Sequence, residues 1–370
     1  MASSEIDLTR AVVTAAGLDA RPVAPPADPD ALFDRIAVAR TRPRRDVLRP
    51  VAMVGAAVVV ALVAVVTWPQ PEAVAITPPV LDFTLVRGGD VAAAPGRDAR
   101  DVLLGLAAAA ERREDPAPDA VQVVETDSWF IDLEASEAVG GLALRPTRAT
   151  TWRYPDGAVT REEHRDPLRN AAGDLVPGGV LPAHRASMWT IDFLPPDGAS
   201  PEVPALPADP ADLRADLLAG SECADPAVTA DWCRFLLLDT VAQVPQAEVI
   251  PGAVDAALWR MLADEPGLLT LGETRDRAGR DGVSVTARDE ASGVMIVLLA
   301  DPVDGRLLGT ERILLTDQPE QELVAPVVVS FTTYLGSRWE GPDAGPTVDP
   351  RMVCEEHPGV RFCVLPADQN

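Results

Sequence analysis

LLTLGETRDRAGRDGVSVTARDEASGVMIVLLADPVDGRLLGTERILLT, residues 268–316, decides how the chain folds. Short runs of Val, Ile, Leu and Thr, of strand length, alternate with turn signals that include Asp281-Gly282 and Asp304-Gly305. With APVVVSFTTYLGSRW, residues 325–339, they form five strand patterns joined by short turns, the mark of an antiparallel meander. Upstream, residues 201–267 read as helical. Asp209 caps one helix with Pro210 at its first position, RFLLLDTVAQV makes a second, and PGAVDAALWRMLADEPG makes a third. The third puts Val254, Leu258, Met261 and Leu262 on one side, with Trp259 beside them, and stops before Pro266-Gly267.

Further outward the pattern is β again. AVQVVETDSWFIDLE is followed by RATTWRYPDGAVTREEH, two arms that meet at Pro155-Asp156-Gly157, and SMWTIDFLPP adds a third strand signal. Asp98 to Glu114 precedes them as an alanine-rich helix with Val102, Leu103, Leu106 and Ala110 on one side. The fold class expected is α+β: residues 98–340 form one domain with a helical insert at about 201–267, and residues 341–370 form a loop-rich tail.

Val51 to Trp68, VAMVGAAVVVALVAVVTW, carries no charge and no proline. At 1.5 Å per residue it covers about 27 Å, close to the ~30 Å hydrocarbon thickness, and reads as one transmembrane helix closed by an interfacial Trp68. Arg35, Arg40, Arg42, Arg44, Arg45 and Arg49 precede it, whereas Glu72 is the one charge soon after it, so the N-terminus is expected in the cytoplasm. The 370 residues carry 57 acids and 32 basic residues, all arginine, for a net −25. Residues 1–50 hold eight arginines and seven acids, so the −26 remainder lies in residues 69–370. That charge disfavours nucleic acid as a partner.

All four cysteines, Cys223, Cys233, Cys354 and Cys363, follow the span, as disulfides in an oxidising compartment would. Three connectivities are open; local pairs need the least rearrangement, and each would stabilise by roughly 2–3 kcal/mol in the loop-entropy model. Their spacing does not suit zinc. Residues 69–97 read as an extended linker.

The tail, residues 1–50, holds two short helical patterns without room for a core. In the second, Leu32, Phe33 and Ile36 recur at helical spacing and could contact a cytoplasmic regulatory partner, as in transmembrane regulators that hold a transcription factor. The competing reading is a plain anchor whose arginines set topology.

The order of anchor, alanine-rich helix and W-x-Y-P-D-G turn at 152–157, with A-L-W-R-M-L-A-D-E-P-G at 257–267, D-R-A-G-R-D-G-V-S-V at 276–285 and D-P-V-D-G-R-L-L-G at 301–309, resembles a family of actinobacterial single-pass membrane-anchored proteins. The exported region of that family is similar to the half-barrel of lipoprotein carriers and periplasmic sigma-regulator sensors. The resemblance implies a twisted antiparallel sheet packed with helices around an apolar hollow. In such a hollow Trp259, Val294, Ile296 and Leu298 would wall a site for a lipid or other apolar ligand; the blander fate of such residues is plain core.

No nucleophile elbow, phosphate loop, dinucleotide fingerprint, zinc-protease helix or calcium loop stands in matching context. The three histidines, His164, His184 and His357, sit in charged or proline-flanked stretches, and adjacent strand positions keep Glu162, Glu163 and His164 from converging on a metal. No catalytic residue, cofactor or metal is expected. The chain reads as a non-catalytic, membrane-tethered extracytoplasmic binding or sensing protein. The alternatives are an anti-sigma-like regulator acting through its tail and an envelope hydrolase, which would need convergent carboxylates.

Overall fold

A computed structural model describes residues 77–113, 120–131, 143–166, 169–170, 188–193, 206–207, 209–219, 221–225, 227–246, 249–319, 323–347, 349–357 and 360–364. All of them fall within the compact unit Ala75–Asn370. The expected span at Val51–Trp68 and the tail residues Leu32, Phe33 and Ile36 lie outside the described residues. No helix among the described residues is long and apolar enough to cross a membrane.

In chain order the elements are β1 (Arg97–Asp98), α1 (Arg100–Ala110), β2 (Val121–Ile131), β3 (Ala143–Arg153), β4 (Val159–Arg165), β5 (Arg169–Asn170), β6 (Met188–Phe193), α2 (Pro210–Leu217), α3 (Ala230–Gln243), α4 (Gly252–Ala263), β7 (Leu269–Thr270), β8 (Glu273–Arg275), β9 (Asp281–Asp289), β10 (Val294–Ala300), β11 (Leu307–Leu314), β12 (Val327–Glu340), β13 (Val353–His357) and β14 (Val360–Val364). The strands join in one open antiparallel sheet, ordered β1-β7-β9-β10-β11-β12-β2-β3-β4-β6-β14-β13, with β5 beside β3 and β8 beside β9. The meander expected from residues 268–340 is present as β7 to β12. Its last strand pairs with β2, so that the two β regions on either side of the helical insert become one half-barrel-like sheet.

Helices cover one face of β9 to β11, which will be called inner. Leu103, Leu106, Ala107 and Ala110 of α1 recur at helical spacing and meet Ala256 to Ala263 of α4. α3 lies directly on the sheet through Phe235, Leu237, Leu238, Val241 and Ala242, against Val285, Ala287, Ile296 and Leu298. Each large side chain so buried stabilises by about 1.5–3 kcal/mol. Arg113 pairs with Asp255 between α1 and α4, both almost fully buried. Burial pushes the Asp255 carboxyl up to about 6, with the Arg113 guanidinium pulling the other way.

The outer face carries the segment that reads as a linker. Residues 77–94 form a strap across the sheet: Phe83 and Val91 bury against Leu271, Met295, Val297, Leu299 and Ile313. Thr84 N–H donates to the Glu273 carbonyl at 2.8 Å and Leu85 N–H to that of Leu271 at 3.1 Å. The Arg288 guanidinium donates to the carbonyls of Val91, Ala92 and Ala94. The strap also explains why LLTLGETRD breaks into β7 and β8. Gly272, at φ +92°, passes so close that a Cβ there would stand 2.2 Å from Thr84 Oγ1. Beneath the strap Arg277 Nε lies 2.9 Å from Glu311 Oε1, its guanidinium 4.6 Å over the Phe331 ring, and its Nη2 donates to the Pro79 carbonyl at 3.1 Å.

The C-terminal stretch that reads as loop contains the β13–β14 hairpin, with Cys354 and Cys363 directly opposite each other. Their disulfide joins Cα atoms 4.0 Å apart, and the Cys223–Cys233 disulfide joins Cα atoms 5.5 Å apart. Both are the local pairs. The hairpin extends the sheet edge by pairing β14 with β6, a long-range contact that a loop-like local composition does not announce.

Candidate binding cleft

α3 begins where Thr229 Oγ1 accepts from Trp232 N–H at 3.2 Å, and the Cys223–Cys233 disulfide ties its first turn to the preceding loop. Its other end is held by the sheet. The Tyr334 hydroxyl donates to the Ala242 carbonyl at 2.6 Å, one of the acceptors left over at a helix C-terminus. One turn back, Arg312 of β11 grips Asp239: Nε donates to Oδ1 at 3.1 Å and Nη2 donates to the same oxygen. Gln243 Nε2 donates to Asp239 Oδ2 at 3.2 Å.

At the end of α3 the chemistry of the inner face changes. Cross-strand register places Leu298, Thr310, Thr332, Ser128, Thr147 and Arg165 in one row over β10, β11, β12, β2, β3 and β4. Leu298 is core beneath α3, whereas Thr332, Ser128 and Thr147 are buried hydroxyls. Ser128 Oγ donates to Thr332 Oγ1 at 3.2 Å. Farther along that face Glu163 sits between Arg161 and Arg165, at 2.8 Å from each. Burial alone would raise the Glu163 carboxyl; the two guanidiniums more than offset it and hold it below its usual value.

A cleft of about 200 Å³ opens at this border. Its walls are Asp239 and Gln243 of α3, Thr310 and Arg312 of β11, Ser330 and Thr332 of β12, and Phe130 of β2, with Ile296 at the apolar end. Phe130 is 40% exposed, although it is a large apolar side chain. Such a site can hold a small molecule by hydrogen bonds to α3 and to the sheet, with ring contact from Phe130 on the sheet side. One carboxylate, Asp239, borders it, already paired with Arg312.

Among the four residues read as an apolar lining, Ile296 borders the cleft. Leu298 is fully buried beneath α3. Val294 is half-buried at the start of β10, between two apolar clusters. Trp259 is buried in α4, and its Nε1 donates at 2.7 Å to the carbonyl of Gly305, a turn residue at φ +73° whose Cβ would stand 2.5 Å from the Leu106 carbonyl. The four therefore do not converge on one hollow. His164 Nε2 lies 2.8 Å from Glu162 Oε1, while Glu163 turns to the opposite face and its arginines, as strand alternation requires. Among the described residues no group of three His, Cys, Asp or Glu side chains is placed to hold a metal ion.

Phe130, Asp239, Gln243, Arg312 and the hydroxyls went unremarked in the sequence. A partial signal was present: Thr310 and Arg312, then Ser330 and Thr332, stand two apart and so share the face that should be core, although Glu311 and Thr333 blur the alternation.

No family model matches the chain. No curated protein matches it. Among solved structures, an outer membrane lipoprotein-sorting protein domain from Vibrio parahaemolyticus is similar over 72% of this chain and 90% of its own, with 10% sequence identity and a TM-score of 0.19.

Proposed function

We propose that this chain is a non-catalytic binding or sensing protein, tethered to the membrane by Val51–Trp68, with residues 69–370 outside the cytoplasm. The observation that carries the binding role is the cleft at the end of α3. There the helical layer stops, and a guanidinium, a carboxylate, a carboxamide and hydroxyls from separate elements meet around a half-exposed ring. Arg312, Asp239 and Gln243 are joined to one another, and Thr310 and Ser330 add hydroxyls at the same open border, where a small ligand can reach them. The two disulfides support an exported location. The apolar residues of β9 and β10 are already covered by α3, so a lipid-sized occupant would first have to displace that helix.

The test is native mass spectrometry of the full chain, released from membranes without exchange of its lipid or solutes. A retained non-protein mass that is lost in Phe130→Ala and in Arg312→Met supports the reading. A bare wild-type chain, or the same retained mass in wild type and both variants, overturns it.

A further inference from the structure

We infer that the cleft recognises a single pyranose ring, the chemistry shared by a free sugar and by one unit of an envelope glycan; this rests on the binding reading above. The walls argue by elimination first. An acyl chain lying in the cleft would strip water from the Arg312–Asp239 pair and return no hydrogen bond, a cost that apolar contact with Ile296 and Phe130 does not meet. A simple anion is no better served, because the Arg312 charge is already neutralised by Asp239 and the chain as a whole carries −25.

What the walls leave unused is both donor and acceptor. Arg312 spends Nε and Nη2 on Asp239, which leaves Nη1, and Gln243 spends Nε2 on the same carboxylate, which leaves Oε1. Thr310 and Ser330 each bring a hydroxyl that makes no hydrogen bond to another described residue, and a hydroxyl both gives and accepts. A ligand matched to this set carries several groups that also do both, spaced around a small rigid frame. On the neighbouring strand, where the Phe331–Trp129 pairing sets it beside Ser330, the 40% exposed Phe130 adds an aromatic ring to the same cleft, which asks for an apolar surface of similar size. A pyranose has both features: hydroxyls around its edge and a patch of C–H bonds on its face. At about 200 Å³ the cleft is smaller than the ~300–1,000 Å³ of sites for larger ligands, so it takes one ring and not an extended chain.

The test is saturation-transfer-difference NMR on the full chain in phosphatidylcholine nanodiscs, with empty nanodiscs as blank. The probes are methyl β-D-glucopyranoside, methyl β-D-galactopyranoside, methyl α-D-mannopyranoside and, as the acyl comparator, sodium hexanoate. At least one glycoside should show transfer strongest at its ring C–H protons, while hexanoate shows none. Phe130→Ala should weaken that glycoside by about five-fold, the size of one lost ring contact (about 1 kcal/mol at 1.4 kcal/mol per decade). Ser330→Ala removes one hydroxyl without touching the core and should weaken it as well, with an unchanged urea midpoint showing that each variant is folded. A linear glucan hexasaccharide that competes more strongly per ring than the methyl glycoside identifies a polymer as the source; equal competition identifies the free sugar. Transfer to hexanoate alone overturns the pyranose assignment and leaves the binding reading standing. No transfer from any glycoside also overturns it, and the retained mass then decides the binding reading on its own.

Discussion

Replacing Glu311 by Gln should remove a pH dependence of stability whose size follows from the strap. The Glu311 side chain is 3% exposed beneath residues 77–94, and neither of its oxygens accepts an aligned hydrogen bond, although Arg277 Nε stands 2.9 Å away. Burial raises its carboxyl from 4.5 to about 7 against the opposing pull of Arg277. Below pH 4.5 the group holds its proton in folded and unfolded chains alike and contributes no slope. Between 4.5 and about 7 the folded chain keeps a proton that the unfolded chain has released, so stability falls as pH rises. Above about 7 both have lost it and the full penalty is in place. At 1.36 kcal/mol per pH unit the penalty is about 3 kcal/mol, of which about 2.5 kcal/mol develops between pH 5 and pH 8. The assay is urea unfolding of the full chain in nanodiscs, followed by tryptophan fluorescence, on wild type and Glu311→Gln at those two pH values. Asp255, also raised, adds a slope of the same sign to both proteins and cancels in the difference. Glutamine leaves Arg277 without a counter-charge, which offsets the variant by a constant amount and leaves its slope unaffected. Parallel wild-type and variant stabilities across that range would refute the account of Glu311 as a buried carboxyl that resists ionisation.

Two further outcomes follow from the same geometry. Gly272→Ala places a Cβ 2.2 Å from Thr84 Oγ1 at φ +92°, so it should lower stability by about 1–3 kcal/mol and loosen the strap, read as faster amide exchange over residues 77–94 than over β10. In natively isolated membranes none of the four cysteines should react with maleimide until reductant is added, and protease added to intact cells should remove most of residues 69–370; free thiols or a protected C-terminal portion would sink the exported reading.

The elements legible in the sequence are those whose cause is local. Asp209 and Pro210 start α2 as the pattern predicts, because a capping oxygen and a fixed φ act within one turn: Asp209 Oδ1 accepts from Ala211 and Asp212 N–H. The β3–β4 hairpin turns at Gly157, at φ +86°, for the same kind of reason. Both disulfides are the near pairs. The strap was not legible, since Val80, Leu81, Phe83 and Val86 carry apolar side chains without helical or strand period, and their partners on β10 and β11 lie far away in sequence. The cleft was not legible either. Leu298 and Thr310 both occupy inward strand positions, and which of the two is covered by α3 depends on where that helix comes to rest.

Sequence by itself thus determined the helices, the strands of the meander and of the β3–β4 hairpin, their turns and the apolar run that precedes them, because each arises from sterics, capping or side-chain period within a few residues. Tertiary structure decided that β12 joins β2, bringing together Ser128 and Thr332, 204 residues apart, and where on the sheet α3, which ends at Gln243, comes to lie. The reason is that ladder hydrogen bonds are made by a backbone identical at every residue, so which strands meet, and where a helix leaves the sheet uncovered, is set by the packing of the whole core.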